Sequence, residues 1–92
     1  MSNPSFNGLN ITTTGSTLVY SGSTVLKNVH INTKGTVAST VKIYDGVSAS
    51  GKLLATIDSL SFLGTFNYNI NVATGIFIVT TGAPDVTVEH LS

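Results

Sequence analysis

The groups able to move protons in this sequence are four carboxylates, Asp45, Asp58, Asp85 and Glu89, and two histidines, His30 and His90. Acid–base catalysis needs such groups to converge in a cleft. Their settings argue against that. Asp45 precedes Gly46 and Asp85 follows Pro84, so both read as turn residues. Asp58 precedes Ser59 at the end of an apolar run, where its carboxylate can accept from backbone amides. Glu89 alternates outward on the last strand. His30 lies between Val29 and Ile31 with the opposite parity, as a surface or interface histidine does, and His90 near the carboxyl terminus has no better claim to ligand chemistry. A zinc site needs three or four ligands, and no close histidine pair exists. The carboxylates are too scattered for a calcium loop. Cysteine is absent, which excludes disulfides and thiolate ligands. No serine sits in a nucleophile-elbow pattern, and no glycine-rich phosphate loop is present. The sequence therefore predicts no catalytic residue, no metal, no cofactor and no enzyme.

Two features point to contact chemistry instead. Asn67, Asn69 and Asn71 form a row on one side of a strongly alternating segment. Such amides can bind sugar hydroxyls, pair with a second subunit or simply face solvent. The second feature is the connection Ser59-Leu60-Ser61-Phe62-Leu63-Gly64. Leu60, Phe62 and Leu63 either cap the core or form an apolar contact with another chain. These six side chains are the expected interface residues.

The elements that would carry them are strands. β-branched residues dominate, and Gly or Pro recurs at the spacing of short strands in a sandwich or barrel. No segment shows a convincing helical period. The clearest strand runs from Thr65 to Val72: Phe66, Tyr68, Ile70 and Val72 share one face, and Thr65 and the asparagine row share the other. Gly75 then introduces Ile76 to Val79, apolar on both faces, as the second arm of a hairpin. Leu18 with Tyr20, Val25 with Val29 and Ile31 (and Lys27 among them), Val37 with Val41 and Ile43, Leu53 with Ala55 and Ile57, and Val86 with Val88 supply further inward faces. The fold class is all-β: a single small sandwich of about eight antiparallel strands, jelly-roll-like, with an immunoglobulin-like sandwich as the alternative. Residues 1–15 are rich in Asn, Pro, Ser, Thr and Gly. They read as an amino-terminal arm, extended or partly disordered, ahead of a domain over 16–92.

With 92 residues, one domain is the limit, and its core is modest. Charged residues make up only 9%, against roughly 25% in an ordinary soluble domain. Four lysines and arginines are too few to neutralise nucleic-acid phosphates. They are equally few for an anionic membrane surface, and no run approaches the roughly 20 apolar residues that cross a bilayer. No signal peptide is visible at Met1 to Ser5. A net charge of zero and a mean hydropathy of +0.36 favour a subunit covered by copies of itself or by another protein.

From Val25 to Val88 the order of pieces carries a family resemblance. The pieces are Val25 to Thr33 (VLKNVHINT), Val41 to Gly46 (VKIYDG), Gly51 to Asp58 (GKLLATID), Gly64 to Tyr68 (GTFNY) and Thr81 to Val88 (TGAPDVTV). Together they resemble small β-sandwich proteins encoded among the virion structural genes of tailed bacteriophages. The match is to strands and turns, so no functional residue transfers. The resemblance implies a capsid decoration (cement) subunit working as a homotrimer on the capsid exterior. Its partner is then the major capsid protein or another virion protein, and it is made in the host cytoplasm. The alternative it implies is a fibre, spike or tail adsorption module that binds host-surface glycan.

Overall fold

A computed structural model describes residues 6–36 and 38–91, with the side chains of residues 6 and 7 left aside. The described chain is all strand and connection. Its elements are β1 (Phe6–Ile11), β2 (Gly15–Ser21), β3 (Thr24–Thr33), β4 (Thr40–Asp45), β5 (Lys52–Asp58), β6 (Gly64–Val72), β7 (Gly75–Thr81) and β8 (Asp85–Leu91). Every pairing is antiparallel: β1 with β8, β2 with β7, β3 with β6 and β4 with β5. Those four pairings are nested, so the chain is one long ribbon doubled back at the connection between β4 and β5. Two further pairings, β3 with β8 and β4 with β7, roll the ribbon up. The result is two four-stranded sheets, β1-β8-β3-β6 and β2-β7-β4-β5. This is the strand order of an eight-stranded jelly roll rather than the immunoglobulin-like alternative.

The core lies between the sheets. Leu26, Val29, Ile31, Val86 and Val88 enter it from the first sheet, and Val41, Ile43, Ile57, Ile76 and Ile78 from the second. Alternation on β8 is strict: Val86, Val88 and His90 are buried, while Asp85, Thr87 and Glu89 are half-buried on the outside. The β-branched side chains fit the pleat because their stiff χ1 loses little on ordering there.

The loops knit each end of the sandwich. At one end, buried Ser39 and Ser59 share a hydroxyl contact of 2.6 Å, and the Thr36 amide donates to the Gly82 carbonyl at 2.8 Å. Gly82 has φ 74° and sits where an added Cβ would come within 2.7 Å of the Ser39 Cβ. At the other end, the Asp45 carboxylate accepts from the amides of Thr74 (2.9 Å) and Ala73 (3.1 Å). Those amides hold its pKa below the ordinary carboxylate value.

Several expectations change. Residues 1–15 are not an arm over their whole length: Phe6–Ile11 is an edge strand paired with β8, and Gly15 already begins β2. The polar composition that suggests an arm is that of an exposed edge strand: Gly8, Leu9 and Asn10 face water, and Ile11 is the buried residue among its described side chains. The remainder of the expected arm before Phe6 lies outside the described residues, as does Val37. Bulges at Val19, Lys27 and Leu54 each insert an extra residue and reverse the parity beyond it. Leu26, not Val25, therefore shares the core face of Val29, and Leu18 and Leu53 turn outward, away from Tyr20 and Ala55.

The packing predicts where truncation hurts. Ile78 is fully buried on a central strand. Ile78→Ala should cost about 3 kcal/mol in urea unfolding with an unchanged m-value, whereas Leu53→Ala should cost less than about 1 kcal/mol.

Candidate functional site

The outer face of the first sheet is a polar, hydrogen-bonded surface. Asn10 on β1 donates to the Asp85 carboxylate at 2.6 Å, and Asn32 on β3 donates to Thr87 at 2.9 Å. His30 lies between the Glu89 carboxylate, which its Nε2 contacts, and the Thr65 hydroxyl, 2.7 Å from Nδ1. Asn28 also donates to Glu89, at 3.3 Å. The contacts from His30 and Asn28 lower the Glu89 pKa. His30 is thus the outward histidine its parity predicts, but its pairing with Glu89 depends on the β3–β8 register, which links distant segments of the chain. His90 is different: it is buried and its ring lies 4.9 Å from that of Tyr20. Asp45 and Asp58 stand at strand ends, each holding turn amides. The structure therefore pairs His30 with Glu89, whose carboxylate Lys27 also influences, and sets Lys52 across from Asp45 at the far end of the second sheet. The His30–Glu89 pair sits on an open sheet face, where a reacting group stays in water.

The expected asparagine row lies on edge strand β6. Asn67 is opposite Asn28, Asn71 is opposite Val25, and all three asparagines are exposed. Asn69 has φ 54°, a conformation that asparagine tolerates, within an irregularity of the β3–β6 pairing. The connection from β5 to β6 is also exposed. Leu60 is 44% accessible, and Phe62 and Leu63 are each 58%. They do not cap the core. Asp58 Oδ1 accepts from the Leu60 and Ser61 amides and fixes the base of this loop.

A third surface emerges only from the register. Leu18, Phe77, Tyr44 and Leu53 are directly paired, strand by strand, across the outer face of the second sheet. Leu18 is 46% exposed and Leu53 49%, with Phe77 and Tyr44 half-buried between them. At strand spacings of about 4.8 Å the row spans about 14 Å. Val79 and exposed Lys42 occupy the adjacent row. Alternation alone hides this row, because the bulges at Val19 and Leu54 are what turn its two ends outward.

No family model matches the chain, and no curated protein does. Among solved structures, the chain is similar to Drosophila NLP-core, with a TM-score of 0.64 and 13% identity over 98% of this chain and 96% of that one. The description of that structure concerns pentamer formation and histone binding. This finding overturns the phage reading. The expectations of a virion protein, a capsid decoration subunit or fibre module, a homotrimer and a place on the capsid exterior all fall with it. So do the partner expectations tied to it, the major capsid protein and host glycan, and a histone-binding neighbour also counts against the exclusion of nucleic acid read from the four basic residues. The physical reason is that strand-and-turn order is common to many sandwiches of unrelated function.

The Glu89 cluster yields a pH prediction. A carboxylate whose folded pKa is lowered contributes stability above its unfolded pKa and loses it as pH falls through the folded value. Between about pH 6 and about pH 3 the unfolding midpoint of Glu89→Gln should fall less than that of the parent protein. Equal losses in thermal melts would show that the contact is energetically idle.

Proposed function

We propose that this chain is a non-enzymatic assembly module, a β-sandwich subunit that binds copies of itself through apolar side chains left outside its core. The observation that carries this reading is the row Leu18, Phe77, Tyr44 and Leu53 on a sheet face. Burial of such a row is favourable at about 25 cal/mol per Å² of apolar area. Nothing in the charge content opposes close approach, since four acidic groups balance four basic ones. The likeness to a protein described for its pentamers supports the same reading and makes five the first oligomer size to test.

Histone binding is the other property in that description. A histone is strongly basic, and a partner for it gains from excess negative charge. This chain has a net charge of zero, and its Asp85 and Glu89 are already engaged by neighbouring side chains. The charge balance of this chain therefore favours self-assembly over histone binding.

Light scattering coupled to size exclusion, run over a wide concentration range, tests this. The expected mass is a multiple of 9.5 kDa that declines on dilution. Leu18→Ser combined with Leu53→Ser should lower it without unfolding the chain. A monomer at every concentration would refute the proposal. Coelution with histones at about 0.15 M salt would add the second property.

A further inference from the structure

The exposed apolar side chains fall mainly into two patches of different shape. One is the row on the flat outer face of the second sheet. The other is the β5–β6 loop with Leu60, Phe62 and Leu63, at the end of the sandwich reached by Asp58. Leu53 and Asp58 belong to the same strand and lie opposite Tyr44 and Thr40, so the patches are separated by four register steps, or roughly 13 Å, along the strand direction.

We infer that assembly is head to tail: the β5–β6 loop of one copy seats on the apolar row of the next. This rests on the self-assembly reading above and specifies its contact. Three considerations lead there. A row packed on the row of a second copy leaves Leu60, Phe62 and Leu63 in water, and a loop packed on a loop leaves the row there. Loop on row covers both with one repeated contact. The charges agree with it, because exposed Asp58 stands at the foot of the loop and exposed Lys42 stands beside the row. Docking one patch on the other brings opposite signs to the rim, which favours encounter and sets orientation. Finally, a contact between two different surfaces is the kind that closes rings of more than two subunits.

The loop is held for this role. Its amides at Leu60 and Ser61 are tied to the Asp58 carboxylate, and the Phe62 amide donates to the Asp58 carbonyl at 3.1 Å. Its base is anchored through buried Ser59, whose carbonyl accepts from the Gly35 amide. A loop fixed in this way loses little conformational freedom on docking.

Mixing two variants tests the inference. In one, Leu60, Phe62 and Leu63 are each replaced by Ser; in the other, Leu18 and Leu53 are. Head-to-tail contact predicts that each variant alone is monomeric. The mixture then forms a one-to-one heterodimer of about twice the subunit mass, because each supplies the patch the other lacks. That result also shows that both variants fold. If the parent assembles and the loop variant still reaches the same mass, the head-to-tail contact is wrong while self-assembly stands. If the parent is a monomer throughout, both readings fail. If the mixture yields no heterodimer although both variants keep the parent's circular dichroism and melting behaviour, the inference is likewise overturned. Asp58→Asn keeps an oxygen for the loop amides and removes the charge. It should raise the dissociation constant of the parent assembly by about threefold or more at low salt and have little effect at high salt. An unchanged constant at low salt would remove the electrostatic part of the case.

Discussion

The pairings of β3 with β8 and β4 with β7 are the contacts on which the rest of the molecule depends. Without them the nested hairpins are a flat ribbon with one apolar face and nowhere to bury it. Rolling the ribbon sets Leu26, Val29, Val86 and Val88 opposite Val41, Ile43, Ile76 and Ile78, and the hydrophobic gain exists only once both halves are in place. The same two pairings assemble both outer faces. β3–β8 brings His30 to Glu89, and β4–β7 joins Tyr44 to Phe77 in the apolar row. Core and surface are therefore consequences of one register. A slip by a single residue would send the valines of β8 outward and the carboxylates inward.

Much of this could be read from residue order. β6 shows how: Phe66, Tyr68 and Ile70 alternate with three asparagines, and the structure keeps that alternation. β8 and the glycine turns were equally legible, because period-two patterning and turn chemistry are local signals. Bulges are not. At Val19, Lys27 and Leu54 one residue is added to one strand, and the partner that makes it an extra residue lies on another segment. The outward turn of Leu18 and Leu53 follows from two of those bulges. The sequence could thus suggest the loop patch, a run of neighbouring residues, but not the row, which draws one residue from each of four strands.

The scarcity of charge has a similar double reading. It excludes much, since so few titratable groups leave little from which to build a catalytic cluster, and the described arrangement separates most of those present. It does not name a partner. The phage resemblance drew its force from strands and turns, and these are features that any jelly roll must have to fold. A likeness at 13% identity over almost the whole of both chains makes the same point from the other side. The sandwich constrains where apolar and turn residues go and leaves the outer faces free to differ.

Those outer faces bear directly on stability. A 92-residue chain has limited core to set against its conformational entropy, and this one has no disulfide to restrict its unfolded state. Large apolar side chains kept on a sheet face and a loop raise the tendency to associate without adding to the monomer's core. In an assembly they lower the free energy of the folded state only, since the unfolded chain has no assembled row or fixed loop to dock. Folding then becomes linked to subunit concentration by mass action. Side chains covered in such an assembly would act as a part of the core that forms only between copies. The tethering of the β5–β6 loop by Asp58 and Ser59 has a physical purpose in that setting: it orders the loop within the monomer, so that less entropy is lost when the copies meet.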